Sequence, residues 1–513
     1  MEVTKMENSE FLIKLLIAGV LICVSLLGFR LRSSRKLRRK GPPVVPGLPL
    51  LGNLLQLREK KPHYTFTQWA RKYGPIYSIR TGANPLVVLN SSQVAKEAMV
   101  TKYSSISTRK LPKALEILTR EKCMIAMSDY GDFHRMVKKM VLNNLLGATA
   151  QKQSHQRSLR ECMMQNMVSK IYSELQAQAH QIKEGINIRQ IIVTELFPLA
   201  MKQVLGHDVD SVYVEELGTK ISKWEIYEKI VIEPMKGAIE VDWRDFFPYL
   251  RWVPRNTVQE NMKQVDKKRN AVVRAVIEDY KKLPPSSKNP NCYLDILLKE
   301  CAHLTDKELE MSIWEPLIEA SDTTLVTIEW AMFELSKNPQ AQDRLYREIQ
   351  RVCGNEVVTE DYLPKMPYLS AVFQETLRKH PPVPIIPLRY VHEDVELGGF
   401  FVPAGSEIAI NIYGCHYDEK EWKNTSEWNP ERFEECRNGD ILDLYKTMAF
   451  GSGKRICAGA VQANLIANTT IARFVQEFNW ELAFEEEDSV DTVVLTTHKL
   501  HPLKAIPTPR KKP

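Results

Sequence analysis

The residues best suited to chemistry stand near the C-terminus, in Phe450-Gly451-Ser452-Gly453-Lys454-Arg455-Ile456-Cys457-Ala458-Gly459. Three glycines surround a single cysteine, and a helix-like run, AVQANLIANTTIARFVQEF, follows. Glycine permits tight turns and the close approach of a flat ligand. A cysteine just before a helix N-terminus meets the positive end of the dipole and unpaired backbone N–H groups, and both favour the thiolate. One thiolate with no neighbouring ligand suits the axial position of a haem iron. The other cysteines (23, 123, 162, 292, 301, 353, 415 and 436) form no CxxC pair and no zinc spacing. They read as reduced thiols, mostly small core residues.

Two further groups carry polar chemistry. Glu375 and Arg378 are three residues apart and share one helix face. Asp322 and Thr323 lie within LTDKELEMSIWEPLIEASDTTLVTIEWAMFELSK, residues 304–337. That stretch opens with Thr305 and Glu308 in capping-box spacing and stops before Asn338-Pro339. The pattern predicts a helix roughly 48 Å long, with a kink expected at Pro316.

The elements that must position these groups are mostly helical from residue 91 to 380. Residues 76–90 predict two short strands around a Gly-Ala-Asn-Pro turn. Residues 385–412 return to strand character, with turns at Gly398-Gly399 and Pro403-Ala404-Gly405. Strands confined to two regions, with helices between them, predict an α+β fold dominated by helix.

The N-terminus has a different purpose. Residues 11–29, FLIKLLIAGVLICVSLLGF, carry one charge, Lys14. As a helix they would span about 28 Å, close to the hydrocarbon thickness of a bilayer. A cleaved signal peptide carries its positive charge first, whereas here Glu2, Glu7 and Glu10 precede and a basic cluster follows. The order predicts an uncleaved transmembrane anchor with the remainder cytosolic. The cluster, residues 30–40, holds seven of the 70 basic residues; without it, basic and acidic residues balance at 63 each. The net charge of +7 is therefore local and implies no nucleic-acid-binding face. Four prolines in GPPVVPGLPLLGN, residues 41–53, predict an extended connector. The expected organisation is a short segment 1–10, an anchor 11–29, a basic and Pro-rich linker 30–53, and one catalytic domain 54–513. With 44% hydrophobic residues the chain can fill a large core.

The full Cys457 string resembles the haem-binding signature of the cytochrome P450 family. Phe450, Gly453, Arg455, Cys457 and Gly459 fill its fixed positions. Glu375-Thr376-Leu377-Arg378, Pro430-Glu431-Arg432-Phe433 and Ala320-Ser321-Asp322-Thr323-Thr324 resemble three further motifs of that family, in its order. The resemblance implies haem b on Cys457 and a long helix crossing the haem. It implies a buried Glu375–Arg378–Arg432 cluster, and a proton relay through Thr323 and Asp322. Arg389 and Arg455 match positions that hold the haem propionates. His134 and Lys138 fall where the family has a Trp-x-x-x-Arg pair, and Glu319-Ala320 where it usually has Ala or Gly and then Gly. Lys138, Lys139 and Lys454 could form a docking face for an acidic reductase.

Longer segments, including PGLPLLGNLLQLREKKPH, GAIEVDWRDFFPYL, SIWEPLIEASDTT and HPPVPIIPLRYVHEDVELGGF, resemble the plant ent-kaurene oxidases within that family. This implies a lipophilic diterpene substrate, O₂, and electrons from NADPH through a cytochrome P450 reductase. Three oxidations of one methyl group would give ent-kaurenoic acid, on the route to gibberellins. Alternatives are hydroxylation of another labdane-related diterpene, or a haem-thiolate isomerase needing no reductase. The membrane implied is the endoplasmic reticulum or, alternatively, the chloroplast outer envelope. Bottom-up, the apolar run PPVPIIP at 381–387 suits a lipophilic substrate.

Overall fold

A computed structural model describes residues 40–57, 61–177, 184–250, 252–253, 257–301, 303–434, 447–483, 490–491 and 496–510. The expected anchor at 11–29, and all of the basic cluster except Lys40, lie outside these residues. Among the described residues no helix is long and apolar enough to cross a membrane.

The fold is α+β and mainly helical. Its centre is a 32-residue helix, Asp306–Lys337. The capping box at its start is formed: Thr305 Oγ1 accepts from the Glu308 N–H, and the Glu308 carboxylate accepts from the Thr305 N–H at 2.9 Å. The helix runs through Pro316 and ends at the expected place, where Asn338 donates both its N–H and its side-chain amide to Glu334 O. Helix labels are α1 for Asp132–Val141, α2 for Ile188–Leu205, α3 for the central helix, α4 for Pro367–Lys379 and α5 for Ala460–Glu477.

Around α3 the sequence is apolar on nearly every face. Leu325, Val326, Ile328, Trp330 and Phe333 of α3 share one core with Ile191 and Leu196 of α2, Phe373 and Leu377 of α4, and Ile471 and Phe474 of α5. Each such side chain contributes roughly 1.5–3 kcal/mol by leaving water. A helix enclosed this way has no amphipathic stripe, and it cannot shift without opening the core.

A five-stranded sheet flanks the helices. Its strands are β1 Ile76–Thr81, β2 Asn84–Leu89, β3 Thr108–Arg109, β4 Ile385–Tyr390 and β5 Glu407–Asn411, in the spatial order β1-β2-β5-β4-β3. β1 and β2 form the expected hairpin, turning at Gly82 with φ +64°. There a side chain would also strike the Phe246 carbonyl. The proline-rich residues 43–45 run beside β1: Val45 donates to Ser78 O at 3.0 Å, and Ser78 donates to Pro43 O at 2.8 Å.

Strands are not confined to two regions. A hairpin of Ser211–Val214 with Thr219–Ser222 stands inside the stretch expected to be helical, and Ile186–Asn187, Phe478–Leu482 and Lys504–Pro509 form a three-stranded sheet. These strands are two to six residues long, so their alternation covers too few side chains to register against the helices around them.

Candidate active site

The Cys457 loop is a closed backbone turn. Cys457 donates its N–H to Phe450 O at 2.9 Å, Gly451 to Met448 O at 2.8 Å and Ile456 to Gly453 O at 3.1 Å. Gly453 has φ +69°, and a Cβ there would lie 2.6 Å from the Met99 carbonyl. Only glycine lets the loop lie this close to its neighbour. The Phe450 ring packs against the main core.

Cys457 sits three residues before α5, and the N–H groups of Gly459 and Ala460 donate to its sulfur. These donors favour the thiolate, as expected, but burial and then Glu319 outweigh them and push the thiol up to about 11. A cation at the sulfur reverses that balance, because a coordinated thiol loses its proton. Although enclosed by protein, Cys457 presents accessible surface. It therefore faces an internal space and not a packed wall. Among the described residues no three His, Cys, Asp or Glu side chains gather as a metal cage.

Buried cations gather beside this loop in excess of the one carboxylate, Asp129, that acts on Arg109 and Arg455. Arg389 is 1% exposed, and its Nε and Nη1 have no hydrogen-bond partner; the same two atoms of Arg455 are also unpartnered. Arg455 spends one Nη2 donor on Ser128 O at 2.5 Å. Arg109 joins them, donating from Nε to Ala126 O at 3.0 Å and from Nη1 to Pro387 O at 2.6 Å. Burial, then Arg455, pulls the Arg389 guanidinium down to about 10, which leaves it charged at neutral pH. Buried donors left without partners cost about 1–3 kcal/mol each, and more when charged. Such a cluster fits a ligand that carries carboxylates. The two propionates of a haem supply them, so the residues present fit that group.

His134 stands on the buried face of α1 with Val137 and Val141. Its Nδ1 meets Ser128 Oγ at 3.0 Å, and its Nε2 is buried without a partner. Burial, then Arg455 and Lys138, lowers its pKa to about 4, so the ring is neutral at pH 7. A neutral imidazole can offer one N–H, as an indole would. Lys138, one turn on, donates to Lys454 O at 3.0 Å and Ile456 O at 2.8 Å, and so clamps the Cys457 loop. Lys139 and Lys454 are exposed, with the Lys454 ammonium over the Tyr103 and Tyr130 rings.

Across the space stands α3. Thr323 Oγ1 donates to Glu319 O at 3.3 Å. Asp322 is buried and turned toward the C-terminal segment, where it accepts from Thr496 Oγ1 and meets His498 Nε2 at 2.9 Å. Neither Thr496 nor His498 was expected; nothing in LTTH, residues 495–498, marks them as partners of a residue some 175 positions earlier.

Glu375, Arg378 and Arg432 come together. Arg378 donates to Glu375 from Nε at 2.7 Å and from Nη2 at 2.8 Å, with both residues fully buried. Arg432 Nε reaches Glu375 Oε1 at 3.3 Å. Arg378 also donates to the carbonyls of His416, Thr425 and Glu427, so the pair ties α4 to the segment that leads to the Cys457 loop.

Arg109 was missed in the sequence because the residue that gives it meaning, Arg389, is 280 positions away. The signal lies in strand pairing, which places Arg109 opposite Arg389.

Comparison with known proteins agrees with this geometry. The family model for Cytochrome P450 matches residues 42–504. The chain is 55% identical to an ent-kaurene oxidase of Salvia miltiorrhiza, over 91% of this chain and 89% of that protein. It is 56% identical to ent-kaurene oxidase 2 of rice (Oryza sativa subsp. japonica), over 91% of each. It is 49% identical to the rice ent-sandaracopimaradiene 3-hydroxylase, again over 91% of each. A zebra fish cytochrome P450 solved with progesterone superposes with a TM-score of 0.69 at 21% identity, covering 88% of this chain and 99% of that one. That likeness shows the fold. The loop that presents Cys457, the buried Glu375–Arg378 pair and the cation cluster thus belong to a haem-thiolate monooxygenase scaffold, and the chain is a member of the cytochrome P450 family.

Proposed function

We propose that this enzyme oxidises one methyl group of ent-kaurene three times, through the alcohol and the aldehyde to ent-kaurenoic acid. The identity to ent-kaurene oxidases across nine-tenths of the chain is the observation that carries the reading. Each step uses one O₂, two electrons and two protons. The first converts R–CH₃ to R–CH₂OH with one water. The second gives R–CHO and two waters, and the third R–COOH and one water. The electrons come from NADPH through a cytochrome P450 reductase, for which Lys139 and Lys454 offer a basic docking face.

The haem, ligated by Cys457, supplies oxygen activation. The chain's own residues do the remaining work. Arg389, Arg455 and neutral His134 would hold the propionates, with Arg109 and the remaining donor of Lys138 in support. The Phe450 backbone and Lys138 fix the loop that carries the sulfur. With haem bound, the Thr323 hydroxyl would be the proton donor on this helix and the neighbouring Asp322 would resupply protons. The contact between Asp322 and His498 gives that carboxylate a route outward through a half-buried imidazole.

The anchor expected at residues 11–29 would hold the enzyme at a membrane. Two exposed apolar stretches support that placement: Leu48, Leu50 and Leu55, and Tyr249 with Trp252. The Gly82 turn joins them, since Gly82 donates to Leu51 O at 3.1 Å and Ala83 to Phe246 O at 2.8 Å. An apolar edge of this kind fits a bilayer surface through which lipophilic substrate arrives.

The rice 3-hydroxylase favours a second reading, a single hydroxylation of a related diterpene. Offering ent-kaurene and ent-sandaracopimaradiene together to the reductase-supported enzyme separates the two. Preferential consumption of ent-kaurene supports the first reading, and a lone hydroxylated product of the other olefin replaces it.

A further inference from the structure

Glu315, Glu319 and Thr323 recur every four residues on α3 and so share one face. Glu315 is committed: its two carboxylate oxygens accept from the N–H groups of Ile125 at 2.8 Å and Ala126 at 2.9 Å. One turn on, the Glu319 side chain has no hydrogen bond among the described residues, though its carbonyl takes the Thr323 hydroxyl. Like Cys457, Glu319 is enclosed by protein yet presents accessible surface. After burial, Glu319 is the largest influence on the Cys457 thiol, and their chain neighbours Ala320 and Ala458 pack against the same apolar cluster. Both therefore border one internal space.

The one charged group that acts on Glu319 is Glu315 from its own helix, and Glu319 in turn acts on Cys457 of the facing loop. Burial, then Glu315, holds its carboxyl well above the usual carboxylate range. That direction favours the protonated carboxyl, which has one O–H to donate. The family's usual Ala or Gly at this place offers none.

A hydrocarbon has no use for such a donor, but its oxidation products do. We propose that Glu319 binds the oxygen of the alcohol and aldehyde intermediates, keeping the oxidised carbon at the reaction centre for the next turnover. This rests on the multi-step reading above. The Glu319 O–H donates to the intermediate's oxygen, so the enzyme gains a contact after its first oxidation that ent-kaurene itself cannot make. A donor left without that partner in an enclosed site discriminates between ligands that differ by one oxygen.

The test is equilibrium binding to the haem-loaded, full-length protein, read by optical titration with ent-kaurene, its alcohol and its aldehyde. Wild type is compared with Glu319→Leu and Glu319→Gln, each checked for an intact reduced-CO spectrum. For Glu319→Leu the expected result is ent-kaurene affinity within about twofold of wild type, and alcohol and aldehyde affinity lowered about tenfold. Glu319→Gln, which keeps a neutral donor, should stay within about threefold for all three ligands. If Glu319→Leu does not hold haem, Glu319→Ala is read in the same way. Equal weakening of all three ligands would mark a packing role and overturn the proposal, as would unchanged alcohol and aldehyde binding. A wild-type protein that binds none of the three overturns the substrate reading, and this inference with it.

Discussion

Arg109 and Arg389 stand directly opposite each other on the antiparallel strands β3 and β4, both buried. Like charges in that relation repel, and a buried one without an anion is costly. Arg455 adds a third guanidinium whose Nε and Nη1 have no partner. A dicarboxylate seated against the three would offset that repulsion. Arg389→Met should therefore weaken haem retention roughly ten- to a hundredfold, the loss of one or two charge-assisted hydrogen bonds. The same change should leave the melting temperature of the haem-free protein unchanged or raised, because it removes a repulsion. Haem transfer to an acceptor protein and thermal melts of the haem-free form measure the two effects. A haem-free form destabilised by the substitution would contradict this account.

Glu375 and Arg378 are both fully buried and joined by two hydrogen bonds. Glu375→Gln leaves the Arg378 and Arg432 charges without their carboxylate and should cost about 3–5 kcal/mol. Denaturant midpoints at constant haem load measure it. A loss below 1 kcal/mol would mean that the carbonyls around Arg378 suffice without the ion pair.

Thr323→Ala removes the hydroxyl proposed as the proton donor, without changing the ligand loop. NADPH consumption should continue while product per NADPH falls several-fold and peroxide rises. Equal coupling in the variant and parent would assign proton delivery elsewhere, with Glu319 the first group to examine.

How much of this was legible beforehand differs by residue. The Cys457 loop was readable because its constraints are local: glycines, one thiolate and a helix start within ten residues. The central helix was readable from its capping box and its terminal Asn338-Pro339. Arg109 was not, since β3 is two residues long and its importance depends on register with β4. Lys138 was expected on a propionate; the structure shows two of its donors on loop carbonyls, a backbone contact that side-chain type does not encode. Glu319 stood out as a departure from the family pattern, but only the fold shows that it shares a space with Cys457.

His63 is 2% exposed, and burial, then Lys61, lowers its pKa from 6.5 to about 4. A depressed folded-state pKa contributes stability that is fully present above pH 6.5 and is lost as pH falls through about 4. The full effect is about 3 kcal/mol by linkage. His63→Phe, which cannot titrate, should flatten the fall in stability between pH 6.5 and 4. An unchanged pH profile of the urea midpoint would show that His63 is free to protonate in the folded protein.

The central claim is three oxidations of one methyl group, and it is tested by supplying membranes containing this enzyme and a plant reductase with ent-kaurene, NADPH and ¹⁸O₂, and following products by mass spectrometry. The account predicts the alcohol, then the aldehyde, then labelled ent-kaurenoic acid as the end product. Consumption of ent-kaurene that stops at the alcohol, or no product from protein with an intact reduced-CO spectrum, would contradict it.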